Sequence, residues 1–208
     1  MAFRGWPAEA LDFFEGLEAD NSKAYWQDHR EVYDTAVRAP MEALLAELAP
    51  VFGAGKIFRP YRDTRFSRDK SPYKTNIAAT LERGPYLSLS VEGLGAGAGY
   101  YEMGAEQLAR YREAVADDAA GAELDRLATS LRRAGVDVGG REELKTAPRG
   151  YPKDHPRVEY LRHKGLIAWR SWPVAPWLGT AKAKAKIVEF YDRARPLLGW
   201  LDTHVGPA

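Results

Sequence analysis

Arg62 to Asn76 reads RDTRFSRDKSPYKTN, and no other stretch sets so many charged and hydrogen-bonding side chains together. Five cations (Arg62, Arg65, Arg68, Lys70, Lys74) stand with two carboxylates (Asp63, Asp69), and Ser67, Ser71, Tyr73 and Thr75 are interleaved. A guanidinium is a planar fork that pairs bidentately with phosphate or carboxylate, and an ammonium adds a mobile point charge. The run therefore predicts an anion-binding loop, with Tyr73, the serines and backbone N–H groups completing the shell. A second basic run, LKTAPRGYPKDHP from Leu144 to Pro156, offers Lys145, Arg149, Tyr151, Lys153 and His155. Folded over the first, it would make His155 the natural proton carrier, with an unperturbed pKa of about 6.5. Such an assembly suits a phosphate-bearing ligand, or phosphoryl or phosphodiester chemistry.

The same residues support a second account. Strand neighbours alternate faces, so Asp63 and Arg65 share a side and can pair with each other. Arg62, on the opposite face, can pair with an acid from the N-terminal helices, and Asp69 can cap the loop backbone. The motif is then a fold-holding ion-pair network in a non-catalytic structural or protein-interaction domain. Enzyme and binding module both stay open.

Other chemistries have less support. The four histidines (His29, His155, His163, His204) are scattered, and Asp63, Asp69 and Asp154 follow no ligand spacing, so no metal site is expected. The absence of cysteine excludes disulfides, zinc thiolates and thiol nucleophiles. GLGAGAG (Gly93 to Gly99) sits between two strand patterns rather than a strand and a helix, which argues against a dinucleotide or phosphate loop. No cofactor is called for. The expected partner is a small anionic ligand of unknown identity. Nucleic acid is a further polyanion these residues could serve, against a net charge of +1 and no recognisable nucleic-acid-binding signature. No membrane span is expected, since no apolar run approaches roughly 18 residues. The N-terminus has no signal-peptide core, which makes the cytoplasm the default location.

The elements that must position these groups follow from patterning. Charge is segregated: from Ala8 to Ala49 ten acids face three bases, whereas from Lys56 to Asn76 seven bases face two acids. Pro7 suits the start of a helix carrying Leu11, Phe14 and Leu17. Asp20-Asn21-Ser22 recaps the chain before a second helix with Trp26, Tyr33 and Val37 on one stripe. Pro40 is expected to open a third, with Met41, Leu44, Leu45 and Leu48 inward. The period then shortens. Lys56–Phe66, Ile77–Glu82, Tyr86–Glu92, Ala98–Met103 and Leu166–Trp172 read as strands, with Gly84-Pro85 and Gly93 to Gly97 as turns. Helices are expected over Gln107–Asp117, Ala122–Ala134 and Pro156–Lys164, and from Thr180 onward, the last kinked or split at Pro196. The fold class is α+β: N-terminal helices, a central antiparallel meander of about four to five strands, and C-terminal helices packed on the sheet. One domain is expected over residues 1–208.

Three pieces, RDTRFSRDKSPYKTN, LKTAPRGYPKDHP and DNSKAYWQDHREVY (Asp20 to Tyr33), resemble the bacterial family catalogued as domain of unknown function 2461. The glycine-rich Ala96 to Tyr101 also sits where that family has a similar run, so the resemblance covers nearly the whole chain. Family members tend to have Asn-Asn and then Trp-Phe in the early helix, where this chain has Asp20-Asn21 and Tyr25-Trp26. The resemblance implies a single α+β domain of about this length. It brings no established activity, cofactor or catalytic set, so the site rests on the residues themselves.

Overall fold

Apolar spacing and a few caps account for the N-terminal helices. α1 (Glu9–Ala19) buries Ala10, Phe13, Phe14 and Leu17. Ser22 then caps α2 (Lys23–Asp28), its hydroxyl accepting from the Tyr25 N–H at 3.1 Å. α3 (Arg30–Val32) continues through a π-helical turn, Tyr33–Arg38, into α4 (Ala39–Phe52). Pro40 stands in the first turn of α4, which buries Met41, Leu44, Leu45 and Leu48 as expected, and the chain before it is already helical. A proline has no N–H for the carbonyl four residues back, and its ring crowds that carbonyl. The wider π turn immediately before Pro40 makes room. Gly53, at φ 80°, ends α4.

The computed structural model describes residues 2–83 and 85–206. Its strands are β1 (Gly55–Ile57), β2 (Asn76–Leu81), β3 (Tyr86–Ser90), β4 (Gly93–Tyr100), β5 (Asp137–Gly139) and β6 (Leu166–Trp172). They form an antiparallel sheet in the order β1-β2-β3-β4-β6-β5, so the fold class is α+β. The strand count of four to five is thus corrected to six. β5 is only three residues long, too short to show an alternation. β1 stops at Ile57 instead of running to Phe66, because the chain leaves β2 and folds back on itself beyond Phe58. Gly84, expected in a turn, lies outside the described residues. The run from Gly93 is strand, not turn. A Cβ on Gly93 would stand 2.1 Å from the Trp172 carbonyl oxygen, and one on Gly99 2.3 Å from that of Leu166. These glycines let the β4 backbone close against β6.

The chain divides into two compact units, Met1–Ala96 with Ser171–Glu189, and Gly97–Arg170 with Phe190–Ala208. In the first, α4 packs on β1 and β2, and Ile77, Ala79, Leu81, Leu87 and Leu89 are buried. Glu47 of α4 accepts from the Lys184 ammonium at 2.7 Å. The second unit contains α5 (Ala105–Ala116), α6 (Asp118–Arg133) and α7 (Val158–Arg162). Its core includes Tyr111, Val115, Leu124, Leu161, Tyr191 and Leu201. Asp117 caps α6 by accepting from the N–H groups of Ala119 and Ala120 at 2.9 and 2.8 Å. α8 (Lys182–His204) is continuous through Pro196, so the helix is not split there. Among the described residues no helix is long and apolar enough to cross a membrane.

Candidate functional site

The cationic stretch is an arm folded back on itself. Arg62 N–H donates to the Pro72 carbonyl at 2.9 Å and Lys74 N–H to that of Pro60 at 2.8 Å, with Tyr61 opposite Tyr73. Two prolines thus sit where only their carbonyls are needed. Residues 63–71 form the loop closing this ribbon, with a turn at Arg65-Phe66 in place of the expected extended run.

Two groups from the N-terminal helices hold the arm. The Asn21 side chain reads both sides of one residue's backbone. Its Oδ1 accepts from Tyr73 N–H at 3.0 Å, and its Nδ2 donates to Tyr73 O at 3.1 Å. Trp26 lies flat on the Tyr73 ring, with centroids 4.4 Å apart and planes within 6°. Tyr73 is buried as a result, and desolvation pushes its phenol above the usual value.

Within the loop the charges mostly pair. Arg65 forks onto Asp63, Nε to Oδ1 at 3.0 Å and Nη2 to Oδ2 at 2.7 Å. The Arg62 guanidinium donates to Asp69 Oδ2, an acid of its own loop and not of the N-terminal helices. Asp69 Oδ1 accepts from the Ser71 N–H and hydroxyl, at 2.9 and 2.6 Å. Those donors, with Arg62, hold the Asp69 carboxyl well below the usual carboxylate range. Arg65 likewise lowers Asp63. Lys70 donates to the Thr64 carbonyl at 2.9 Å, and Ser67 N–H to the same oxygen at 3.3 Å. Asp63, Asp69 and Lys70 are therefore loop-shaping groups.

Arg62 and Lys74 have a further setting. Together they line a cleft of about 400 Å3 with Glu18, Thr75, Asn76, Ser90 and Glu92. By strand alternation both lie on the face opposite Tyr61 and Tyr73. The Arg62 side chain keeps 32% exposure beside its partner Asp69. Lys74 Nζ sits 5.7 Å above the Phe58 ring. The two cations and two carboxylates of this lining cancel formally, so an anion entering it needs hydrogen bonds as well as charge.

Lys145, Arg149, Tyr151, Lys153 and His155 belong to the second unit. Their loop is irregular, as three prolines require. Lys145, Arg149 and Lys153 are exposed, and Tyr151 and His155 half-exposed. Tyr151 N–H donates to the Pro148 carbonyl, and His155 Nδ1 accepts from Arg157 N–H at 3.1 Å. Arg157 itself is buried and donates to the carbonyls of Val115, Ala116 and Asp117 at 2.7, 3.3 and 3.0 Å. It caps the C-terminal end of α5, where a cation is favoured. His163 is also buried, and desolvation lowers its imidazole pKa. Among the described residues no group of three or more His, Cys, Asp or Glu could hold a metal ion.

A family described as Conserved hypothetical protein (DUF2461) matches residues 9–200. The chain belongs to this family. Two of the stretches that resemble DUF2461, Asp20–Tyr33 and Arg62–Asn76, meet at Tyr73, whose backbone is held by Asn21 and whose ring is covered by Trp26. No curated protein and no solved structure matches the chain. Sequence reasoning passed over Glu18, Ser90 and Glu92, which come from two separate stretches and carry no motif, and Asn76, which closes the RDTRFSRDKSPYKTN run. Arg157 was passed over too, just beyond the end of the second basic run at Pro156.

Proposed function

We propose that this chain recognises a small phosphate- or carboxylate-bearing ligand in the cleft lined by Arg62 and Lys74. One observation carries the reading: two cations from the two sides of a clamped ribbon line one cleft with hydroxyl and amide groups. The clamp matters because a pre-positioned donor set loses little entropy on binding. Glu18 and Glu92 add a requirement. A ligand that offers hydroxyl or amine donors beside its anionic group satisfies them, while a bare anion does not. The reading is one of recognition; phosphoryl or phosphodiester chemistry would further need a proton carrier such as His155.

The loop pairs Arg65–Asp63 and Arg62–Asp69 favour a structural role for the tip of the arm. The two roles divide along the arm, with the tip held by its own ion pairs and the cleft at its base open to ligand. A thermal-shift series with inorganic phosphate, sulfate, and phosphates and carboxylates that also carry hydroxyl or amine groups tests this. A ligand that binds only the folded state raises the melting temperature by mass action. Stabilisation of the parent, lost in folded Lys74→Ala and Arg62→Ala variants, is the expected result. If no anion stabilises the parent, the cleft is not an anion site.

A further inference from the structure

The cleft at the base of the arm holds opposite charges that do not meet. Asn76 lies opposite Ser90 in the β2–β3 ladder. Lys74 comes two residues before Asn76 and Glu92 two after Ser90, so the register brings both to one end of that ladder. Glu18 of α1 and Arg62 complete the charged lining. Arg62 is already committed to Asp69, which leaves one cation, Lys74, beside two carboxylates, Glu18 and Glu92. Among the described residues none of these three has an ion-pair partner. Lys74 Nζ lies over the Phe58 ring instead. The end of α1 adds to the negative side. Glu18 is in its last turn, Asp20 follows as the cap residue, and that turn carries no base. The C-terminus of a helix bears about half a negative charge and favours a cation.

We infer that the cleft takes a small aminocarboxylate, its carboxylate at Lys74 and the remaining donors of Arg62, its ammonium at Glu18 and Glu92. This narrows the ligand class of the same cleft and rests on the cleft being an anion site. The charge count makes the selection. A carboxylate is a monoanion and matches the one uncommitted lysine, whereas a phosphate dianion would set two charges against it beside two carboxylates. An ammonium brings the two glutamates a charge and three N–H donors, where a hydroxyl brings one donor and no charge. Thr75, Asn76 and Ser90 add neutral hydrogen-bonding groups to the same lining. Its volume of about 400 Å3 is toward the small end of ligand pockets, which run from about 300 to 1,000 Å3. A molecule of few atoms with a charge of each sign fits these groups.

The experiment is an NMR chemical-shift titration of the full chain near neutral pH and at low salt, read at the Asn76 and Ser90 amides. The probes are glycine, β-alanine and 4-aminobutyrate, which lengthen the distance between the two charges by one methylene at a time. Each is set against the alkanoate in which a methyl replaces the ammonium: propionate, butyrate and pentanoate. At least one aminocarboxylate should bind about fivefold tighter than its alkanoate. Glu18→Gln and Glu92→Gln should each cut that advantage about twofold while the alkanoate itself binds tighter, so a single substitution moves the two ligands in opposite directions. Lys74→Ala should weaken both. Alkanoates or inorganic phosphate that bind as tightly as every aminocarboxylate overturn the inference and leave the anion reading of the cleft standing. Propylamine that binds as tightly as the aminocarboxylates, with no loss in Lys74→Ala, overturns both and makes the cleft a cation site. If none of the probes, inorganic phosphate included, shifts these amides, both readings fall.

Discussion

Asn21→Ala should release the arm from the N-terminal helices. The substitution deletes two hydrogen bonds, from Tyr73 N–H at 3.0 Å and to Tyr73 O at 3.1 Å, at a part-buried position. Each such bond contributes about 1 kcal/mol net, and a stranded buried partner costs about 1–3 kcal/mol. Water reaches a part-buried site, which trims the second figure, so a total of about 2–3 kcal/mol is expected. The Trp26–Tyr73 stack remains and holds the ring side in place. The chain divides into two units, so one melting transition need not report on the arm. Hydrogen exchange at the Tyr73 amide is the direct assay. A loss of about 2 kcal/mol in local opening free energy speeds exchange roughly 30-fold. Ser22→Ala is the control, because it removes the α2 cap at a cost of about 1 kcal/mol without touching the Tyr73 bonds. Asn21→Asp keeps an acceptor for the N–H but faces a carboxylate toward the Tyr73 carbonyl, so it also speeds exchange at neutral pH. Unchanged Tyr73 protection in Asn21→Ala would refute the clamp. Anion stabilisation should weaken along with it, since Lys74 is the next residue.

Four further outcomes are expected. Asp69 has a folded-state pKa depressed by Ser71 and Arg62, so its contribution to holding the loop is complete above the unfolded value of about 3.9. It is lost as pH falls from there through the lower folded pKa. Ser71 and Arg62 amide shifts in an NMR titration should therefore hold steady down to about pH 4, and a midpoint above that would contradict the assignment. Arg157→Ala strands the carbonyls at the end of α5 and empties a buried space, with a destabilisation of about 3 kcal/mol in urea unfolding. Gly121→Ala should destabilise in the same assay, because its Cβ would lie 2.3 Å from Arg157 Nε. Glu92→Gln removes one carboxylate from the cleft and should tighten phosphate binding about two- to fivefold, read by calorimetry; weaker binding would mean that the cleft does not hold the anion.

Where a pattern was long, the residues announced their element. Tyr86–Ser90 alternates strictly and is a strand with Leu87 and Leu89 buried, and α1, α5 and α6 lie where their apolar spacing placed them. The misplacements come from short or pairwise effects. β5 is too brief to have a period. Pro40 reads as a helix start and stands in the first turn of α4, whereas the π turn that joins α4 to the helix before it depends on six residues, Tyr33–Arg38, with no pattern of their own. Glycine reads as a turn until its neighbours are known, and at Gly93 the neighbour is the Trp172 backbone. At the site, the Asp63–Arg65 pair and the Asp69 cap were readable because both partners lie two residues apart. The Asn21–Tyr73 clamp spans 52 residues, and only tertiary structure brings its halves together. Glu18 and Glu92 were invisible for the same reason, though they set the charge of the cleft.

The division of the chain also bears on its synthesis. Neither unit is a continuous segment: the chain passes from one to the other after Ala96, Arg170 and Glu189. A nascent chain emerging from the ribosome therefore has no finished unit to fold while residues 97–170 are being made. The arm and its clamp are complete in sequence by Lys74, whereas the unit that carries them gains its last segment only with Ser171–Glu189. For the same reason no single cut yields either unit alone. An isolated arm-bearing fragment would need two segments rejoined by a designed connection between Ala96 and Ser171.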